Sequence, residues 1–318
     1  MIENQTTSQV LMIRPAAFGA NAQTAASNTF QRAVPAAAGI EAARRSVQSA
    51  ALEEFDRLTE TLTRAGVKVH VFEDGAEPQT PDAIFPNNWF STHADGTAAL
   101  YPMLAPNRRL ERREDILQSL SRQAGFHISR VVDFTRHEAE EKFLEGTGSL
   151  VLDRVHRIAY ACLSPRTDIE VLGDFAQRLD YEVVAFSAAD RSGVPIYHTN
   201  VLMCVGDKFA TICAAAIGEE ERAEVLDTLR LTGHEIIELS MDQLYAFAGN
   251  MLELSTVTGG KAIALSAAAA AALTAAQRRR LEACSGPLLT ADIPTIERCG
   301  GGSVRCMLAE IHLPRKLK

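Results

Sequence analysis

Cys306 ends the run GGGSVRC close to the C-terminus of this 318-residue chain. An ordinary cysteine thiol titrates at about 8.5, so at neutral pH it needs a neighbour that removes its proton before it becomes a good nucleophile. A histidine can do that and can afterwards protonate a departing amine, and His198 in YHTN is a candidate. Glu145 in EGTG is a carboxylate able to orient an imidazole and hold a substrate N–H. Asp82, Asn87 and Asn88 crowd into PDAIFPNNW, and Asn200 follows His198 by two positions. Together these residues could carry out covalent thiol catalysis on a carbon that bears nitrogen leaving groups. Taken singly, each has a plainer explanation: a packed thiol, a structural histidine, the last charge after Glu138, Glu140 and Glu141, and a glycine turn.

The plainer explanations lose ground because the chain repeats. Five segments share a plan of polar cluster, apolar strand, turn and second apolar strand: FPNNWFSTHADGTAALYPM, EGTGSLVLDRVHRIAYACLS, YHTNVLMCVGDKFATICAAA, AGNMLELSTVTGGKAIALSA and GGGSVRCMLAEIHLP. With Asn88, Gly148, Asn200, Asn250 and Ser303 as equivalents, the steps are 60, 52, 50 and 53 residues. Asp95-Gly96, Gly206-Asp207 and Gly259-Gly260 suit hairpin turns. A strand is expected over 9–13 and a long helix over 40–65, closed by Gly66. Further helices are expected from a Ser164-Pro165 start to Leu179, over 219–232, and over 266–284 as one element. Strand pairs alternating with helices at this period imply an α/β ring, a five-bladed propeller in which each polar cluster faces a common centre. The chain is expected to form one domain, 1–318.

Bulk properties narrow the function classes. The hydrophobic share of 47% and charged share of 23% fit a soluble globular protein. A net charge of -8 argues against nucleic acid as a partner. The opening MIENQTTSQV lacks a signal-peptide core, and the alanine-rich stretch 262–276 is too short to span a bilayer. A cytoplasmic protein with no membrane partner is expected. Six cysteines without a C-x-x-C pair suggest buried thiols rather than a disulfide framework. No H-E-x-x-H, paired-cysteine or Walker motif is present, and GTGSLV lacks the third glycine of a dinucleotide fingerprint, so no metal or cofactor is expected.

These residues give the chain a resemblance to the guanidino-group-modifying, or pentein, superfamily over nearly its whole length. It is most similar to the arginine-deiminase-related group described as citrulline-utilisation hydrolases, whose opening resembles MIRPAAFGANAQTAASNTFQ. The resemblance implies five ββαβ-type modules about a pseudo-fivefold axis. It implies Cys306 as nucleophile, His198 as acid/base and Glu145 as its acidic partner. PNRRLE places Arg108, and SPRT places Arg166, where arginines grip a substrate carboxylate. Two departures bear on the substrate. Asn200 stands where deiminases have aspartate, and Asn87-Asn88 stands where an acidic pair is usual. Aspartates suit a cationic guanidinium, whereas an asparagine can also donate to a neutral ureido oxygen. Citrulline, hydrolysed to ornithine, ammonia and carbon dioxide, is therefore the expected substrate. The alternatives are an arginine deiminase, a dimethylarginine dimethylaminohydrolase, an amidinotransferase and a non-catalytic ribosome-binding factor. The expected partner is a small amino-acid substrate, and the assembly to test is a homodimer.

Overall fold

The computed structural model describes residues 3–32 and 40–316, and among them the chain forms five three-stranded sheets. The first strand, β1 (Gln9–Arg14), runs parallel to β2 (Lys68–Glu73), with the helix Ile40–Arg64 between them in sequence. Next come β3 (Phe90–Thr92), β4 (Thr97–Leu100) and β5 (Arg130–Asp133). The pattern repeats as β6 (Val151–Asp153), β7 (Ile158–Leu163) and β8 (Glu182–Ser187). It repeats again as β9 (Met203–Val205), β10 (Phe209–Ile212) and β11 (Glu235–Glu238), then as β12 (Leu252–Ser255), β13 (Lys261–Ser266) and β14 (Leu288–Ala291). In each of these four sheets the first two strands form an antiparallel hairpin, and the third returns parallel to the second. The short β15 (Ala309–Glu310) pairs antiparallel with β1, so the two ends of the chain build the same β15-β1-β2 arrangement.

Burial explains the strand sequences. The middle strand β7, IAYACL, is buried along nearly its whole length, as a strand covered on both faces must be. The outer strand β8, EVVAFS, alternates towards solvent. The helix Ile169–Leu179 buries Val171, Leu172, Phe175 and Leu179, a helical-period stripe that covers the sheet. Each large apolar side chain hidden this way contributes about 1.5–3 kcal/mol. The glycines of the hairpins at Asp95-Gly96 and Gly259-Gly260 take φ of +86° and +87°, a conformation that favours glycine.

Two helix expectations are corrected. The helix expected from Ser164 begins at Ile169, with Asp168 as its cap accepting from Glu170 N–H. The Ser164 hydroxyl does accept the Arg166 N–H at 3.1 Å, as a cap would, but Ser164 and Thr167 exchange backbone hydrogen bonds at 3.4 and 3.0 Å and close a turn that no helix continues. The single helix expected over 266–284 is two, Ala267–Ala272 and Ala275–Cys284. Thr274 and Gln277 form a capping box that starts the second helix, a stronger local signal than the alanine run that suggested continuity.

The repeat positions occupy equivalent places. Asn88 ends a short helical turn before β3, Gly148 lies in the turn before β6, and Asn200 lies in the turn before β9. Asn250 directly precedes the β12 hairpin, and Ser303 precedes the turn Val304–Met307 that leads into β15. Pairing of β15 with β1 thus anchors the turn that carries Cys306.

Candidate active site

The turns that precede the first strands of the sheets gather in one place. Asn200 donates its amide to Thr147 O at 3.1 Å, and Asn250 donates to Asn200 O at 2.8 Å. Asn250 Oδ1 in turn accepts the Arg305 N–H at 3.0 Å, one residue before Cys306. A Cβ at Gly148 would lie 2.7 Å from His198 Nδ1, so the EGTG turn needs glycine there to pass the imidazole. These contacts bring Glu145, His198 and Cys306 together from three sequence-distant turns. Cys306, His198, Asp82, Asn88, Arg108 and Arg166 line a narrow cavity of about 10 Å³.

Inside this site His198 Nε2 lies 2.8 Å from Glu145 Oε2. Glu145 also accepts from Leu104 N–H at 3.1 Å and from Arg166 Nη1 at 3.3 Å. Arg108 is buried, pairs through Nε and Nη2 with both oxygens of Glu111 at 2.9 Å, and donates from Nη1 to Asn88 Oδ1 at 2.8 Å. Arg166 is held more loosely, by the Ser27 hydroxyl at 2.8 and 3.0 Å and the Thr24 carbonyl at 3.1 Å, and its guanidinium stacks over the Tyr197 ring. Asp82 Oδ2 accepts from Asn21 at 2.8 Å, while its Oδ1 is buried with no partner. Such an orphaned acceptor costs free energy until a ligand supplies a donor. Asn87 is buried beside the site rather than on the cavity wall: its Oδ1 accepts from Asn88, and its backbone oxygen accepts from the Thr147 hydroxyl.

Burial lowers the His198 imidazole to about 4, with Glu145 only partly opposing the effect. The histidine is therefore neutral at physiological pH. With Nε2–H assigned to the Glu145 carboxylate, Nδ1 carries the lone pair that can take a proton. Burial by itself would raise the Glu145 carboxyl, but Arg166, His198 and Arg108 outweigh it and hold it well below the usual carboxylate range. Burial would likewise lower Arg108, but Glu111 and Asp82 outweigh it and keep the guanidinium charged. A pH consequence follows. If neutral His198 is the required form in the free enzyme, kcat/KM holds as pH falls from neutrality and drops only near about pH 4. A kcat/KM profile with its acid midpoint near the ordinary imidazole value of about 6.5 would contradict this assignment.

Three contributors were not singled out from the sequence. The segment 21–31 closes over the cavity: Asn21 and Thr24 bind Asp82, Ser27 binds Arg166, and Asn28 donates to Gly300 O and Gly301 O. Its loop composition carries no periodic signal that could have revealed this. Glu111 sits three residues after Arg108 in a charged run that resembled a solvated helix face, yet the pair is buried. Asn250 served only as a marker of the repeat. Its Nδ2 in fact lies 3.3 Å from Cys306 Sγ, and Asn200 Nδ2 lies 3.5 Å away. A broader surface hollow lies beside Phe18, Arg44, Gln48 and Cys299, and it contains neither Cys306 nor His198. Among the described residues, no group of three or more His, Cys, Asp or Glu is arranged to hold a metal ion, and no helix is long and apolar enough to cross a membrane.

The chain is similar to known proteins over most of its length. The family model described as N,N dimethylarginine dimethylhydrolase, eukaryotic, matches residues 14–313. No curated protein sequence matches. Among solved structures, the N-terminal domain of ArgZ, covalently bound to a reaction intermediate, superposes with a TM-score of 0.72 at 16% identity, covering 96% of this chain and 98% of that one. ArgZ is described as an arginine dihydrolase from cyanobacteria. AgrE in complex with L-arginine gives 0.72 at 16% identity, and this chain spans 40% of its length. A dimethylarginine dimethylaminohydrolase in its adduct with S-methyl-L-thiocitrulline gives 0.63 at 14% identity, covering 96% of this chain and all of that one. At these identities the structural likeness is one of fold. The family match runs from the end of β1 to beyond β15, and on that extent the chain belongs to the N,N-dimethylarginine dimethylhydrolase family of guanidino-group hydrolases, which act on carbon–nitrogen bonds.

Proposed function

We propose that this chain hydrolyses a ureido amino acid, L-citrulline, to ornithine, ammonia and carbon dioxide. The observation that carries the reading is the uncharged amide collar around the nucleophile, with Asn200 and Asn250 both donating to Cys306 Sγ. A neutral ureido head needs N–H donors for its oxygen and acceptors for its nitrogens. Asn88, on the cavity wall, supplies a donor, because Asn87 takes one of its two amide N–H groups, and Asp82 Oδ1, with no partner among the described residues, supplies an acceptor. The substrate carboxylate is held by Arg108 and Arg166. Arg166 is the readier of the two, because only its Nη1 meets a carboxylate, Glu145, while its Nε and Nη2 are held by the neutral oxygens of Ser27 and Thr24, which a substrate carboxylate can displace.

His198 takes the Cys306 proton as sulfur attacks the ureido carbon, and returns it to the departing nitrogen. It then activates the water that cleaves the carbon–sulfur bond. The carbamate released decomposes to carbon dioxide and amine. Glu145 fixes the imidazole, and Asp82, Asn87 and Asn88 shape the seat of the planar head. The same reading treats the five sheets as blades of one closed pseudo-fivefold ring, a single domain working in the cytoplasm on a free amino acid, with a homodimer as its assembly.

Arginine is the second reading. The buried Asp82 Oδ1, with no partner among the described residues, is an acceptor that the donors of a cationic guanidinium head could also fill. An enzyme that takes arginine through to ornithine would also contain the ureido step. The two readings separate on Asn200→Asp. A carboxylate there is expected to lower kcat/KM for citrulline by roughly 10–100-fold and to shift the arginine-to-citrulline ratio towards arginine. An unchanged ratio would sink the assignment of Asn200 to substrate choice.

A further inference from the structure

Among the described residues, no cation is hydrogen-bonded to the Cys306 sulfur. The charged and titratable groups on its cavity side are Asp82, Arg108, Arg166, Tyr197 and His198, and on its far side Glu253, Arg305 and Glu310. Each is engaged elsewhere. Arg108 pairs with Glu111, Arg166 with Glu145 and Ser27, and Arg305 with Glu310 at 2.6 Å. His198 bonds to Glu145, the Tyr197 hydroxyl donates to Gly301 O, Asp82 accepts from Asn21, and Glu253 accepts the Asp207 N–H. What touches the sulfur is a pair of amides, with Asn250 Nδ2 at 3.3 Å, Asn200 Nδ2 at 3.5 Å and the Oδ1 of each farther off at 3.8 Å, where it can accept from the protonated thiol.

The orientation of both amides is dictated by their other contacts. Asn250 Oδ1 must accept the Arg305 N–H, and its Nδ2 must donate to the Asn200 carbonyl. Asn200 Nδ2 must donate to the Thr147 carbonyl. Flipping either side chain would set oxygen against oxygen, so the nitrogens face the sulfur. Both residues are essentially fully buried, so water does not screen the interaction.

We propose that Asn250 is a further catalytic residue, which with Asn200 forms a neutral two-donor cradle for the Cys306 thiolate. The proposal rests on Cys306 being the nucleophile. The cradle acts twice. Before attack it favours the thiolate, whose proton has passed to His198. After water adds to the S-linked intermediate, the carbon–sulfur bond breaks, its electron pair returns to sulfur, and the two N–H groups receive that charge.

The test needs no substrate. Labelling of Cys306 by iodoacetamide is followed against pH, by mass spectrometry of the Cys306 peptide, in the wild type, Asn250→Ala and Asn250→Asp. The aspartate keeps an acceptor for the Arg305 N–H but turns an oxygen towards the sulfur, so it controls for lost packing. Folding of each variant is checked by circular dichroism. The half-maximal labelling pH is expected to rise by about one unit in Asn250→Ala, the loss of one hydrogen bond to a charged group, and further in Asn250→Asp. With the active substrate, kcat should fall more than KM changes. An unmoved labelling midpoint in folded variants overturns the proposal and reduces Asn250 to a structural tie. An error in the choice of citrulline leaves the labelling result untouched and shows only in the substrate comparison, so the two failures are distinguishable.

Discussion

Cys306→Ala is expected to abolish ornithine formation, lowering turnover by about four orders of magnitude or more, while the protein stays folded. A nucleophile that forms a covalent bond to the substrate cannot be replaced by its neighbours, and loss of such a residue removes most of the rate enhancement. The fold should survive, because the thiol is small and its hydrogen-bond partners Asn200 and Asn250 keep their other bonds, to Thr147 O and Arg305 N–H. Steady-state assay with circular dichroism on the same sample checks both halves. Substantial activity in a folded alanine variant would remove Cys306 from the mechanism.

The second large effect is expected at Glu145. Glu145→Gln removes one negative charge from a fully buried position that faces Arg166 at 3.3 Å, Arg108 at 3.8 Å and His198 at 2.8 Å. Two buried guanidinium groups would lose part of their compensation, and breaking a buried pair in this way costs about 3–5 kcal/mol. The imidazole would also lose the partner that fixes its tautomer. Comparable losses at a histidine-orienting carboxylate cost up to about 10⁴ in kcat. Thermal unfolding and kcat should therefore fall together. Full stability with reduced kcat would leave the orienting role and discard the charge-balance argument. Full activity would discard both.

The contrast between Cys306 and Glu111 shows what could be read in the sequence. Cys306, His198 and Glu145 could be picked out because each lies within a few residues of a repeat's reference position, in its polar cluster, and because the family resemblance selects these three; a repeat carries spatial information across positions far apart in the chain. The hairpin turns were legible for a local reason, since Asp95-Gly96 and Gly259-Gly260 need backbone conformations that glycine provides. Glu111 was not, because burial of a charged pair depends on what covers it, and the cover includes turns distant in sequence. The closing segment 21–31 was hidden for the same reason: its contacts with Asp82, Arg166 and Gly300 exist only in the folded chain. The helix start was misplaced because Ser164 does cap a turn, its hydroxyl accepting the Arg166 N–H, but reciprocal backbone bonds between Ser164 and Thr167 close that turn before a helix can follow. That closure fixes the backbone of the turn bearing Arg166, so a departure from the local rule falls at a residue of the site.

The most direct test of the central claim is to incubate the purified protein separately with L-citrulline and L-arginine, alongside Cys306→Ala, and to quantify ornithine, citrulline and ammonia. Ornithine and ammonia from citrulline, absent with the alanine variant, are the expected result. Citrulline accumulating from arginine, with no ornithine formed from either substrate, would contradict the ureido assignment and return the asparagines around Cys306 to a purely structural role.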